Sequence, residues 1–186
     1  GESFNNILMI EPSLKDRVII LNGVSKAYSM TGWRIGYAAG PKLIIAAMSK
    51  LQSQSTSNPT SISQVAAEAA LNGGKKCMLP MIKAFKERHD FVVEKLNNID
   101  GFKCIPAEGA FYAFIDAKKA INNLFDNKKI KEANDLSLTE YLIESQGVAV
   151  VPWSALGLSG HFRISFATYM ENLVESMKRI KQAVEG

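Results

Sequence analysis

Hydrophobic and polar positions change their spacing several times along the chain, and each spacing predicts an element. The short apolar runs VIILN (18–22) and RIGYAAG (34–40) predict strands, the first of them buried, and both end at turn-forming glycines. Pro41 suits the first position of a helix over PKLIIAAMSKL (41–51). The polar stretch QSQSTSNPTS predicts a loop, and residues 61–72 predict a helix that Gly73 and Gly74 close.

A longer helical pattern follows between residues 75 and 98. Its apolar positions recur every three or four residues, so they share one face, and Pro80 is tolerated there only near the helix start. A helix of this length often links two domains. The residues of this predicted face are Met81, Ile82, Phe85, His89, Val92, Val93 and Leu96.

The remaining residues alternate between strand and helix patterns. FKCIPAEGAFYAFID predicts a strand pair that is broken at Glu108-Gly109 and is followed by a short helix over 117–125 and a charged loop, KKIKEAND. VAVVP and HFRISFA predict two further strands. Ser137 with Glu140, and Thr168 with Glu171, fit capping boxes that open the last two helices. The final helix buries a stripe of Leu173, Met177, Ile180 and Val184.

Composition restricts the possible functions. The chain has 186 residues, of which 47% are hydrophobic and 22% charged, as expected for a globular protein of one or two domains. The net charge of +4 is scattered, so a nucleic-acid partner is not indicated, and no apolar stretch is long enough to cross a membrane. Cys77 and Cys104 have no CxxC spacing, which argues against zinc and fits a reducing cytoplasm.

The stretch NGVSKAYSMTGWRIGY (22–37) carries the candidate chemistry. It holds Lys26 and Arg34 together with the hydroxyls of Ser25, Ser29 and Thr31, and it contains no acidic residue. Hydroxyls and a guanidinium recognise phosphate oxygens, and a lysine near cations and apolar walls becomes a nucleophile. These residues favour a phosphorylated aldehyde such as pyridoxal phosphate, although a polar loop between buried segments has the same residue types.

The string SKAYSMTGWRIGY resembles the lysine motif of class I aminotransferases, in particular the bacterial aspartate aminotransferase group. The resemblance implies an α/β protein of the pyridoxal-phosphate transferase fold type I. It makes Lys26 the catalytic lysine that holds the cofactor, and Ser25 and Arg34 ligands of the cofactor phosphate. It also implies a homodimer, with Asn58 in the loop TSNPTS as a candidate interface residue.

The resemblance extends to the end of the chain. AEGAFYAF is similar to a small-domain strand at the active-site entrance, and VAVVPWSALG is similar to a segment that usually has glycine where Trp153 stands. HFRISFA resembles the carboxylate-binding strand, which makes Arg163 the residue that binds the substrate α-carboxylate. If the motif at Lys26 were absent, the simpler interpretation of Arg163 would be an arginine on a strand that faces solvent and has no functional role. His89 is expected to be a packed helix residue, and His161 has no evident catalytic partner.

The chain begins GESFNN, without an initiator methionine. By resemblance, an aspartate for the pyridine nitrogen, a tyrosine and a ring-stacking aromatic residue belong upstream, so we expect the back half of an enzyme. This implies the end of the large domain at 1–74, a linking helix at 75–98 and an α+β small domain at 99–186. We expect residues 1–74 to be loosely ordered or packed against a second copy, and the chain alone to be inactive and without cofactor.

The implied reaction of the full-length enzyme transfers an amino group from aspartate to 2-oxoglutarate and yields oxaloacetate and glutamate. Its partners would be small molecules, an amino acid and a 2-oxo acid. Three alternatives stay open at this point: a prephenate or aromatic aminotransferase, a pyridoxal-phosphate β-lyase, and a fragment without catalytic function.

Overall fold

The computed structural model describes residues 4–186 and divides the chain into two compact units, Gly1–Met81 (unit 1) and Ile82–Gly186 (unit 2). The division falls inside the long helix α4, Leu79–Asn97, which the sequence predicted over 75–98. The domain boundaries implied by the resemblance remain a prediction.

Unit 1 contains a two-stranded antiparallel sheet and helices. Its described elements are α1 (Ile7–Ile10), a 3₁₀ helix (Pro12–Asp16), β1 (Ile20–Gly23), a 3₁₀ helix (Thr31–Trp33), β2 (Gly36–Ala39), α2 (Lys42–Ser55) and α3 (Ser61–Asn72). β1 pairs with β2, with Ile20 opposite Ala39. Both predicted strands and both predicted helices are confirmed, and Gly73 caps α3 as expected.

Unit 1 leaves most of its apolar side chains exposed. Leu21 on β1 is 74% exposed, and Leu43 and Leu51 on α2 are 86% and 73% exposed. Among the described residues of this unit, the buried hydrophobic side chains are those of Val24 and Ala67. The prediction of a buried VIILN strand is therefore wrong for Leu21, because the described part of unit 1 supplies no layer that covers it.

Unit 2 is a four-stranded antiparallel sheet packed with helices. The sheet has the strand order β3-β4-β6-β5, so β6, the last strand in the sequence, lies between β4 and β5. Its elements after α4 are β3 (Lys103–Cys104), β4 (Tyr112–Asp116), α5 (Lys118–Asp126), α6 (Asp135–Gln146), β5 (Val151–Pro152), a 3₁₀ helix (Ser154–Leu156), β6 (His161–Ser165) and α7 (Met170–Glu185). The predicted strand pair over 102–116 is confirmed as β3 and β4.

Alternation along β4 and β6 separates a core face from a second face. Ala113 and Ile115 on β4 are buried, as are Phe162 and Ile164 on β6. The core that these residues form continues into α4, α5, α6 and α7 and includes Val92, Leu96, Leu124, Leu138, Leu142, Phe166, Leu173, Met177, Ile180 and Ala183. The opposite face of the sheet carries polar and aromatic side chains, which is where Arg163 lies.

Both predicted capping boxes are wrong. Helix α6 begins at Asp135, three residues earlier than a box with Ser137 as its N-cap requires, because the N-cap is Asn134, whose side chain accepts a hydrogen bond from Ser137 N at 2.8 Å. Helix α7 begins at Met170 without a side-chain cap, and Thr168 Oγ1 instead accepts from the Asn172 side chain at 3.0 Å. In both helices the side-chain hydrogen bonds near the start therefore differ from those of a capping box.

The predicted helix faces are confirmed with two exceptions. Val92 and Leu96 of α4 are fully buried, but Ile82 is 58% exposed. On α7, Ala183 is buried where the sequence pattern pointed to Val184, which packs against the edge of the core. The VAVVP strand is also shorter than predicted, since β5 contains only Val151 and Pro152.

Candidate functional site

The lysine segment is a tight, irregular connection between β1 and β2. Val24 is fully buried and fixes its start, while Ser25 is half-buried and Lys26 is exposed. Backbone hydrogen bonds from Tyr28 N to Val24 O and from Ser29 N to Lys26 O, both 3.2 Å, close the turn around Lys26. The fold of this segment therefore presents the lysine on a turn with its backbone ordered.

Arg34 ends the segment in an unusual backbone conformation. Its φ of 50° and ψ of 49° place it in the left-handed region, at the end of the 3₁₀ helix Thr31–Trp33. Its Nη1 donates to Thr31 O at 2.9 Å, which holds the guanidinium beside the turn. Such a conformation is uncommon for a residue with a large side chain and is often found at functional sites.

The donor set of this segment fits a phosphorylated aldehyde. It combines one amine at Lys26, one guanidinium at Arg34 and the hydroxyl of Ser25 within ten positions of the sequence, and the segment between Asn22 and Gly40 contains no acidic residue to repel a phosphate. A cavity of about 350 Å³ in unit 1 is lined by Val24, Tyr37 and residues of α3, but not by Lys26 or Arg34. The fit therefore depends on the chemistry of the segment and not on an enclosed cavity.

Arg163 lies on the polar face of the sheet in unit 2, as its alternation with Phe162 and Ile164 predicted. Its register partners are Phe114 on β4 and Val151 on β5. The guanidinium carbon Cζ lies 4.2 Å from the ring centroid of Tyr112 and 5.2 Å from that of Trp153. Within residues 4–186, no acidic side chain forms a salt bridge with Arg163.

Asp135 holds the loop that carries Trp153. Its side chain is completely buried at the start of α6, and it accepts hydrogen bonds from Trp153 N, Ser154 N and Gly160 N at 2.8, 2.8 and 3.1 Å. Burial acts to raise the pKa of the Asp135 carboxyl, but the bonds from Ser154 and Gly160 outweigh it and hold this pKa below its usual value. The carboxylate is therefore ionised at neutral pH.

Sequence reasoning missed the roles of Tyr112 and Asp135. The alternation in YAFID could have placed Tyr112 and Phe114 on one face, but the pairing of β4 with β6 was needed to bring that face to Arg163. Asp135 had no local signal, since it lies in the predicted charged loop and its three partners are 18 to 25 residues away.

The two histidines have ordinary structural partners. His89 Nε2 accepts from Ala107 N at 3.0 Å and the ring packs edge-on against Phe166, which confirms a packed helix residue. His161 is buried, its Nδ1 donates to Ser159 O at 2.9 Å and its ring stacks on Phe114. Neither histidine is needed to explain the candidate site.

Two other kinds of site receive no support from residues 4–186. Within this part of the chain no cluster of three or more histidine, cysteine or acidic side chains could hold a metal ion. In the same range, each helix is too short or too polar to span a bilayer.

Comparison with known proteins agrees with the chemistry of these segments. The family model for aminotransferase class I and II matches residues 2–180. The aspartate/prephenate aminotransferase of Nitrosomonas europaea is 56% identical over 180 residues, which cover 97% of this chain and 45% of that protein. The aspartate aminotransferase of Rhizobium meliloti is 48% identical over 186 residues, or 100% of this chain and 45% of that protein.

Solved structures give the same result for the fold. The crystal structure of the Rhizobium meliloti aspartate aminotransferase superposes with a TM-score of 0.90 at 45% identity, over 100% of this chain and 46% of that one. The aromatic aminotransferase of Pyrococcus horikoshii has a TM-score of 0.79 at 34% identity, over 90% and 43% of the two chains. The chain thus spans a little under half the length of these relatives.

The predicted fold class is confirmed by these neighbours, since the mixed α/β arrangement is that of the pyridoxal-phosphate transferase fold type I. The family match covers nearly all of the residues and includes both the lysine segment and the strand with Arg163. The chain belongs to the class I and II aminotransferase family.

Proposed function

We propose that this chain supplies the carboxy-terminal part of a pyridoxal-phosphate-dependent aminotransferase that converts aspartate and 2-oxoglutarate to oxaloacetate and glutamate. The observation that carries the proposal is the segment between β1 and β2, which carries Ser25, Lys26 and Arg34 with no acidic residue between Asn22 and Gly40. The names of the Rhizobium meliloti and Nitrosomonas europaea relatives support aspartate as the amino donor.

Pyridoxal phosphate, when bound, supplies an electron-accepting ring that stabilises negative charge at the substrate α-carbon. Lys26 would hold the cofactor through its Nζ and, once displaced by the substrate amine, would take the proton from the α-carbon and return it at another position. The Lys26 side chain is exposed, so a cofactor and a substrate can reach it.

Ser25 and Arg34 would hold the cofactor phosphate. The guanidinium offers a planar fork of donors and the hydroxyl offers one more, which suits phosphate oxygens better than a single ammonium. The bond from Arg34 Nη1 to Thr31 O uses one donor and leaves others for the phosphate. Binding of the phosphate would orient the cofactor relative to Lys26.

Arg163 would bind the α-carboxylate of the substrate. Its guanidinium contacts two aromatic rings and forms no salt bridge with the described acidic side chains, so its charge is available to an anion. In a class I enzyme, closure of the small domain over the substrate would then exclude water from the reaction.

The proposal is tested in a chimeric enzyme that joins the amino-terminal part of the Nitrosomonas europaea relative to residues 1–186 of this chain. Arg34→Ala in this chimera is expected to weaken cofactor binding by about 10- to 150-fold, because a charge-assisted hydrogen bond is worth about 1.5–3 kcal/mol. Titration of the cofactor-free chimera with pyridoxal phosphate measures the effect.

The matched control for this change is Arg17→Ala, which removes an exposed arginine from the same unit. Substrate affinity of the cofactor-saturated Arg34→Ala variant should change much less than its cofactor affinity. Equal cofactor dissociation constants for the Arg34→Ala and Arg17→Ala variants would contradict the phosphate role.

Arg163→Lys is expected to raise the KM for aspartate and 2-oxoglutarate by about tenfold or more, because a point charge cannot replace the planar two-pronged contact with a carboxylate. Cofactor affinity should stay the same. Steady-state kinetics measure the change, and Arg179→Lys, which alters a surface ion pair with Glu175, is the control. Unchanged KM values for Arg163→Lys would remove Arg163 from the substrate site.

A second candidate substrate is prephenate as the amino acceptor. The name of the Nitrosomonas europaea relative and the aromatic residues around Arg163 favour it. Assays of the chimera with aspartate as donor and either 2-oxoglutarate or prephenate as acceptor separate the two. A β-lyase would eliminate the β-substituent of its amino acid and release it together with a keto acid and ammonia, without an acceptor, and none of the relatives named above favours that reaction.

We propose in addition that the 186-residue chain by itself is inactive and that the complete enzyme is a cytoplasmic homodimer, with Asn58 near the subunit interface. Asn58 is exposed and follows Ser57, whose φ of 64° marks a tight turn. Borohydride reduction in the presence of pyridoxal phosphate, followed by mass spectrometry, tests whether the chain alone retains the cofactor at Lys26.

A further inference from the structure

We infer that Asp135 is a positioning residue for Arg163: its buried carboxylate fixes the loop 153–160, and this loop sets the Trp153 indole against the guanidinium. The inference rests on the proposed function, since it concerns how Arg163 is prepared for a substrate carboxylate. It adds two residues, Asp135 and Trp153, to the determinants of substrate affinity.

The carboxylate ties both ends of the loop to one point. Oδ2 accepts from Trp153 N and Ser154 N at the loop start, and Oδ1 accepts from Gly160 N at its end. Gly160 has a φ of +73°, where a side chain would be strained, and an added Cβ would lie 2.5 Å from Lys118 Cγ. The loop is therefore closed by three bonds to a side chain that is 0% exposed.

Because Asp135 is completely buried, it does not bind a ligand directly. The carboxylate is turned toward the backbone N–H groups of Trp153, Ser154 and Gly160 and is 0% exposed, so it cannot contact the substrate in this arrangement. Any effect on binding must act through the loop. The loop residue with a direct contact to Arg163 is Trp153.

Trp153 is held in place from three directions. Its backbone N–H also donates to His161 O at 3.0 Å, which continues the pairing of β5 with β6. Its ring lies edge-on to Phe114, with 5.2 Å between centroids, and 5.2 Å from Arg163 Cζ. Tyr112 contacts the same guanidinium at 4.2 Å, so two rings restrict its position.

A restricted guanidinium binds an anion more tightly than a mobile one. A free arginine side chain has several rotatable bonds, and ordering them on binding lowers affinity. The two aromatic contacts order the side chain before the ligand arrives. Loss of either contact should therefore weaken carboxylate binding even though the charge of Arg163 is unchanged.

The first measurement is made on the 186-residue chain without ligand. The ring currents of Trp153 and Tyr112 should shift the Nε–H proton resonance of Arg163, which is identified by its loss in Arg163→Lys. Asp135→Asn keeps the side-chain volume but sets an amide N–H₂ against backbone donors. This variant is expected to move the Arg163 resonance toward that of a solvent-exposed arginine.

A double-mutant cycle tests whether Asp135 acts on Arg163 through Trp153. Trp153→Ala leaves the backbone N–H that bonds to Asp135 and removes only the ring, so it should shift the Arg163 resonance in the same direction. Trp153→Phe should restore most of the shift. The double variant Asp135→Asn/Trp153→Ala should show no further change beyond Trp153→Ala, because both act on one contact.

The second measurement is maleate affinity of the same chain, followed by the same resonance. Asp135→Asn is expected to weaken maleate binding by about 3- to 30-fold, the range of one cation–π contact. Leu142→Ala, a buried core change on α6, is the control for general destabilisation: it should lower the melting temperature while leaving both the Arg163 resonance and the maleate affinity unchanged.

An unchanged Arg163 resonance in folded Asp135→Asn, or additive effects in the double-mutant cycle, would overturn the inference. The same is true if Leu142→Ala changes the resonance as much as Asp135→Asn does. A wild-type chain with a ring-shifted resonance and no response to maleate would contradict the carboxylate-binding function of Arg163, and the ligand-free resonance would still decide the role of Asp135.

Discussion

Lys26→Ala is expected to reduce transamination by the chimeric enzyme by about 10²- to 10⁴-fold or more, the range that a positioned proton-transfer group contributes. The lysine has two proposed tasks, cofactor attachment and proton transfer, and alanine can perform neither. Because the side chain is exposed, the melting temperature should stay close to that of the unmodified chimera. Initial rates with aspartate and 2-oxoglutarate, together with thermal unfolding, measure both effects.

Lys42→Ala is the matched control, since it also removes an exposed lysine from unit 1. It should retain full activity. Turnover of the Lys26→Ala variant within tenfold of the unmodified chimera would refute the assignment of Lys26, and so would borohydride labelling of a different lysine in the unmodified chimera.

The second large effect concerns folding of the separate parts. Residues 79–186, which keep α4 intact, are expected to unfold cooperatively on their own, while residues 1–78 should lack a cooperative transition. The core cluster of buried residues extends from Val92 to Ala183 and lies wholly in unit 2, whereas Val24 and Ala67 are the buried hydrophobic residues among those described in unit 1. Urea denaturation followed by circular dichroism measures each part.

Two adjacent residues of α6 provide an internal control. Leu142 is completely buried and Ile143 is 51% exposed. In residues 79–186, Leu142→Ala should lower the free energy of unfolding by about 2–5 kcal/mol, and Ile143→Ala should lower it by much less. A cooperative transition in residues 1–78 would contradict a core confined to unit 2. So would equal losses in the free energy of unfolding for Leu142→Ala and Ile143→Ala.

The helices and strands were predictable where local patterns agree with the final packing. Residues 61–72 form the predicted helix because periodicity and the closing glycines both act within a few residues of the chain. The capping boxes failed because Ser137 and Thr168 had alternative partners nearby, and sequence spacing does not rank such partners. Leu21 was misjudged because burial of a strand depends on the layers around it.

The sequence by itself determined the family and the chemical content of the lysine segment, because Ser25, Lys26 and Arg34, the groups proposed to bind the cofactor, lie within ten positions. Tertiary structure alone decided the surroundings of Arg163. Tyr112 reaches it through strand pairing, and Trp153 reaches it through the loop that Asp135 closes. Contacts between residues far apart along the chain depend on the register of strands and the closure of loops, and neither leaves a periodic signal in the sequence.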